Sequence, residues 1–286
     1  MSKNTIRTWV FLAALGGLFV VVGQALGGRT WAMFGLIFAV VMNMGSYWFS
    51  DKIVLKMTKS QPVTEEQAPW LYRIVRELCR KADMPMPRLY LMPARQPNAF
   101  ATGRDPEHAA VAVTEGILDV LDEDELTGVL AHEISHVRNR DILVGAVAAT
   151  VAAAITFLAR IAMWGAMLGG GRDSRDSGPF GAVAALLSLI LAPIAAFMIQ
   201  MAVSRSREAH ADATGAKLLG DATPLARALV KIDAAARNRP VPEMNPAVSH
   251  LFLHAPFAGK GVSKLFMSHP PLEERLAQLR SLGARI

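Results

Sequence analysis

The chain has 286 residues, of which 52% are hydrophobic and 19% charged, with a formal charge of +6 and a pI near 9.7. A wholly soluble domain normally carries about 25% charged residues, so this composition favours a soluble part joined to membrane spans. The basic residues flank apolar blocks and accompany no nucleic-acid motif, so membrane topology accounts for them and no nucleic-acid partner is expected.

Two apolar blocks open the chain, over residues 9–26 and 31–49, each approaching the roughly 20 residues that cross a bilayer. Trp9, Trp31, Tyr47 and Trp48 stand at their edges, where amphipathic rings anchor at the interface. No convincing small-x-small cleavage site follows the first block, and the second begins almost at once. A retained two-span hairpin over residues 1–50 is therefore expected, rather than a signal peptide. Lys3 and Arg7 precede it, only Arg29 lies between the blocks, and Lys52, Lys56 and Lys59 follow. That bias places both ends of the hairpin in the cytoplasm.

The first soluble piece, residues 51–141, reads as a helix over 65–82, then short strands over 88–92 and 109–113. Asp105-Pro106-Glu107 marks a turn between the strands, and a helix over 122–139 is capped near Asp122. The single cysteine, Cys79, lies in the first helical pattern as a small apolar residue, and its solitude excludes intrachain disulfides and cysteine-rich zinc clusters. Apolar blocks over 143–168 and 180–203 then form a second expected membrane hairpin, residues 142–203, joined by the Gly/Ser-rich loop 169–179. Arg160 sits deep in the third block, where a charge is costly, which leaves the depth of this pair open. Arg205 and Arg207 bring the chain back to the cytoplasm for a second soluble piece, residues 204–286, with helices over 205–219, 224–236 and 272–279. The expected class is α+β, mostly helical, in an integral membrane protein whose soluble domain is interrupted by the second hairpin.

Chemistry concentrates in His132-Glu133-Ile134-Ser135-His136. Positions i and i+4 share a helix face, so both imidazoles can address one metal ion, with Glu133 beside them to reach a bound water. Zinc suits these ligands, and a catalytic zinc keeps three protein ligands and an open position. A third histidine six residues beyond His136 is excluded, because Ile142 stands there. A glutamate from a separate helix is the alternative. Glu208 leads, since its helix follows the second hairpin just as the histidine helix precedes it; His210, Glu243, Glu273 and Glu274 are the rivals. Asp212, one turn after Glu208, is placed to orient a ligand histidine through its other ring nitrogen.

With Pro97-Asn98-Ala99-Phe100-Ala101-Thr102-Gly103, residues 132–141, Ser206 to Asp212 and Ser268-His269-Pro270-Pro271-Leu272-Glu273-Glu274-Arg275, the chain resembles the HtpX family of bacterial membrane metalloproteases over nearly its whole length. That family is related to the CAAX prenyl-protein endopeptidases. The resemblance implies a gluzincin-type zinc site in a cytoplasm-facing domain of an inner-membrane protein. It also implies proteolytic quality control of membrane proteins, with protein or peptide substrates. It further implies that Asn98 lies on an edge strand to which an extended substrate pairs, and that His269 helps hold the oxyanion. Two other readings compete: a non-catalytic scaffold or chaperone with a structural zinc, and a processing enzyme for prenylated peptides. An intact Glu133 counts against the scaffold, because a structural site needs no base.

Overall fold

A computed structural model describes residues 3–142, 205–238 and 270–285. The third and fourth apolar blocks, with Arg160, Glu243 and His269, lie outside these residues. The chain divides into two compact units, residues 1–48 with 144–202, and residues 49–143 with 203–286.

The segment α1, Lys3–Met57, is helical on both sides of a reversal and is no straight rod. A continuous helix rising 1.5 Å per residue would hold Phe19 and Phe38 about 28 Å apart. Their rings instead meet edge to face at 4.9 Å. Gly28 makes the reversal, with φ at +71°, a backbone region open to glycine. The two arms approach through small residues: a methyl added at Gly35 would fall 2.3 Å from the Phe19 carbonyl oxygen. The stretch Gly28–Phe49 is long and apolar enough to cross a bilayer. Its Trp31, Phe34, Ile37, Val41 and Met44 side chains are exposed, which suits a hydrocarbon solvent better than water.

In the second unit, helix α2 spans Pro69–Ala82 and buries Leu71, Ile74, Val75, Leu78, Cys79 and Ala82 along one face. It begins four residues later than the sequence pattern suggested. Proline is accepted in the first turn of a helix, and the residue before it is kept out of the helical region. A four-stranded sheet has the order β1-β2-β4-β3, with β1 Gln61–Pro62, β2 Arg88–Met92, β3 Ala99–Thr102 and β4 Ala110–Thr114. Strands β2 and β4 are parallel, whereas β3 runs antiparallel to β4 along one edge. The expected turn at Asp105 is a one-turn 3-10 helix, Pro106–His108, capped by the Asp105 carboxylate. Along β4 the side chains alternate. Val111 and Val113 enter the main core, while Ala110 and Ala112 pack with Phe100, Met92 and Leu55 on the other face.

After the short helix α3, Glu115–Leu118, comes α4, Glu123–Arg138. Asp122 and Glu125 close its first turn reciprocally, each carboxylate accepting from the other's backbone N–H. Helices α5, Arg205–Leu219, and α6, Thr223–Asn238, both pack on α4, and α7, Leu272–Ser281, closes over α5 and α6. Glycines let these helices meet closely. Gly215 of α5 abuts the backbone of Ala131 and His132, and Gly128 of α4 abuts that of Pro224 and Leu225. With neighbours on several sides, α4 buries Leu126, Val129, Leu130, Ala131, Ile134 and Val137.

A methyl at Gly128 would fall 2.5 Å from the Leu225 backbone nitrogen, which cannot swing aside as a side chain does. Gly128→Ala is expected to destabilise the protein by about 1–3 kcal/mol, as overpacking does. The check is the unfolding midpoint of the detergent-solubilised chain, and an unchanged midpoint would show that the seam can relax.

Candidate metal centre

The buried stretch of α4 carries the chemistry. His132 is fully buried, Glu133 is nearly so, and His136 lies one turn further on. On α5, Glu208, Ala211, Asp212 and Gly215 recur at helical spacing, so the glycine that brings the helices together shares a face with the two carboxylates. Close approach is what lets short acidic side chains reach the imidazoles.

Three side chains converge. The Nε2 atoms of His132 and His136 are 3.1 Å apart, and the Glu208 carboxylate faces both: Oε2 lies 3.6 Å from His132 Nε2, and Oε1 lies 3.4 Å from His136 Nε2. One ligand atom from each of the three lies within 4.8 Å of the others. The expected ligand set is thus brought together. Of its rivals, His210, Glu273 and Glu274 are exposed to solvent, and Glu243 lies outside the described residues.

Each imidazole is also held from behind. His132 Nδ1 donates to Asp212 Oδ1 at 2.8 Å, which leaves Nε2 for the centre. His136 Nδ1 meets Asp141 Oδ2 at 3.2 Å. Arg140 adopts a left-handed backbone, φ +58°, where the chain leaves α4 just before Asp141. The Asp212 position follows the spacing to Glu208. The Asp141 partnership was not assigned from sequence, although an aspartate five residues past the second histidine was its available signal.

Glu133, between the two histidines in sequence, is held differently. The Glu133 Oε2 atom accepts a 2.8 Å hydrogen bond from the backbone N–H of Ala101 on β3. Because Thr114 N–H donates to Asn98 O, the alternation of the antiparallel ladder turns the Ala101 N–H away from β4. Glu133 therefore lies against the outer side of the edge strand. Asn98 immediately precedes that strand and is fully buried, its backbone N–H bonded to Thr114 Oγ1 at 2.8 Å.

Electrostatics mark the cluster as a seat for a cation. Glu133, Glu208, Asp212 and Asp141 surround the two imidazoles, all with little or no exposure. Burial opposes protonation of His136, yet Glu208, with Asp141 and Glu133, overrides it and raises the imidazole to about 10. His132 is raised as well, although burial and the Arg275 guanidinium push the other way; Asp212 and Glu208 prevail. Asp212 is held well below the usual carboxylate range: burial resists this, and Arg275 and His132 outweigh it. The site thus favours positive charge on both imidazoles. Two imidazole nitrogens and one carboxylate are also the donor set of a catalytic zinc site with an open position.

This fold and site suit a metallopeptidase: two histidines lie one helical turn apart, and a glutamate from a second helix joins them in a group that could hold a metal ion. Residues 65–283 match the family model described as Peptidase family M48, and the chain belongs to that family. It is 53% identical over 280 residues to a protease HtpX homolog of Syntrophobacter fumaroxidans, covering 98% of this chain and 99% of the relative. A protease HtpX homolog of Pelotomaculum thermopropionicum is 49% identical over 280 residues, covering 98% and 99%. The crystal structure of S. mikatae Ste24p has a similar fold, with a TM-score of 0.54 at 21% identity. That match covers 97% of this chain, which spans 65% of the Ste24p chain.

The raised imidazoles make metal-free stability depend on pH. His136 binds its proton more tightly when folded, at about 10, than when unfolded, at about 6.5. Its contribution is therefore complete below pH ~6.5 and is lost as pH rises through about 10. Chelator-treated protein is expected to lose thermal stability across this window, and metal affinity to rise across it as protons cease to compete. His136→Ala should flatten the metal-free profile. A wild-type melting temperature that stays level from pH 6 to 10 would contradict the assignment.

Proposed function

We propose that the chain is a membrane-embedded zinc-dependent endopeptidase that works on the cytoplasmic side in quality control of misfolded or damaged membrane proteins. The observation that carries this reading is the convergence of His132, His136 and Glu208 beside a buried Glu133 that faces the edge strand. Near 50% identity to protease HtpX homologs over almost the full chain supports it.

His132, His136 and Glu208 would hold the zinc, which would supply Lewis acidity toward a water and a scissile carbonyl. The protein's own groups do the rest. Glu133 takes the proton of the attacking water and passes it to the departing amine, both within reach of one carboxylate. Pairing of an extended peptide along the edge of β3, with Asn98 at the head of that strand, is the role assigned by family resemblance. His269, just before α7, takes the oxyanion role assigned by family resemblance. Asp212 and Asp141 hold the ligand imidazoles in orientation.

Membrane attachment rests on the apolar stretch Gly28–Phe49 and on the reversal at Gly28, which gives two arms. Two spans from this segment and two from residues 143–203 would leave both soluble pieces in the cytoplasm of a bacterial cell. They would also return Glu208 to the histidine helix. The domain order is then hairpin 1–50, soluble piece 51–141, hairpin 142–203 and soluble piece 204–286.

Casein, an unfolded protein, tests the activity. Wild-type protein should cleave it broadly, and a chelator should stop the reaction until zinc is restored. Glu133→Gln should keep its metal yet lose activity by at least the 10²–10⁴-fold typical of a general base. If Glu133→Gln cleaves as fast as wild type, the base is elsewhere. Cleavage confined to prenylated peptides would replace quality control with processing, and metal-loaded protein that cuts nothing would favour a scaffold.

A further inference from the structure

We propose that Arg275 is a positioning residue for the metal ligand His132, so that helix α7 completes the metal centre from outside the ligand-bearing helices. The proposal rests on the metal-centre reading above. Asp212 can orient His132 only if one particular oxygen stays on Nδ1, and a carboxylate on a single-bond swivel does not guarantee that. Arg275 removes the swivel. Its Nη2 donates to Asp212 Oδ1 at 2.6 Å and its Nε to Oδ2 at 3.0 Å, so both oxygens are gripped. Oδ1 is left facing His132 Nδ1 at 2.8 Å, and Arg275 Nη2 lies 3.4 Å from the same ring nitrogen.

The three side chains form one closed unit from which water is excluded. Asp212 and His132 are 0% exposed and Arg275 is 3% exposed, so no solvent molecule stands ready to replace a missing donor. The planar guanidinium matches a carboxylate bidentately, a geometry that lysine cannot reproduce. Arg275 itself is set by the docking of α7. Leu279 is fully buried in the core, Gln278 Nε2 donates to the Ala209 carbonyl on α5 at 2.6 Å, and Arg285 N–H donates to Thr223 Oγ1 at 3.0 Å. Docking of α7 is thereby transmitted to His132 through Asp212. An ion pair that served only to join two helices would not need to share its oxygen with a metal ligand.

The test uses full-length protein in detergent, with metal affinity measured by competition against a chromophoric chelator and the absorption bands of the cobalt-substituted protein as a second readout. Arg275→Lys and Arg275→Met should each weaken metal binding about 10- to 100-fold, the usual effect of losing an outer-shell partner, and shift the cobalt bands as Asp212→Asn does. The double variant Asp212→Asn/Arg275→Met removes both buried charges together. It should bind metal no more weakly than Asp212→Asn alone, because Arg275 acts through Asp212. Additive losses in the double variant overturn the proposal, as does Arg275→Lys with wild-type affinity and an unshifted spectrum. If Arg275→Met fails to fold, Arg275→Lys and the double variant decide. A wild-type chain that binds no metal would overturn the metal-centre reading itself, a distinguishable failure.

Discussion

Burying several carboxylates around two imidazoles is unfavourable unless positive charge sits among them, and the second unit is organised around meeting that condition. Glu133, Glu208, Asp212 and Asp141 are almost withdrawn from water. An isolated carboxylate in such a place would take up a proton instead of remaining charged. Here the raised imidazoles and the Arg275 guanidinium supply the compensation, and a dication would supply more of it at the Nε2 atoms. Removing one partner from such a cluster leaves the others uncompensated, so the parts stand or fall together.

That electrostatic condition makes demands on packing. Carboxylates as short as those of Glu208 and Asp212 reach the imidazoles only if α5 lies hard against α4, and Gly215 at the Ala131–His132 backbone permits it. Gly128 does the same for α6 on another side. On the sheet side, Glu133 is tied to the Ala101 amide. Glu133 and the edge strand are thus fixed to each other by the packing of α4 on β3.

Local signals were readable because their physics is local. The i, i+4 histidines, the Asp122 cap, the spacing of Glu208 to Asp212 and the helices expected at 205–219 and 272–279 depend on neighbours within a turn or two. The strand β3 is four residues of Ala, Phe and Thr, too short for its alternation to stand out; it entered the reading only through family resemblance to the Asn98 segment. Likewise β1 is two residues long and exists by pairing with β2. The parallel pairing of β2 with β4 depends on β3 intervening, so it too was hidden. Arg275 stood in a quoted motif without a role, because its partner is 63 positions away and nothing in a surface-like Glu-Glu-Arg run announces burial. Proline explains the largest displaced boundary, at Pro69; the other ends moved by one or two residues.

The long separation between the partners also fixes an order of events. His132 and Arg275 are 143 positions apart, and the first carboxylate from the far side, Glu208, comes 76 residues after His132. A chain emerging from the ribosome presents its histidine helix long before Glu208 and Asp212 exist, and Arg275 follows later still. Throughout synthesis the nascent polypeptide carries the motif without the site. The buried cluster of His132, Glu208, Asp212 and Arg275 is therefore incomplete until α7 has been made and has docked.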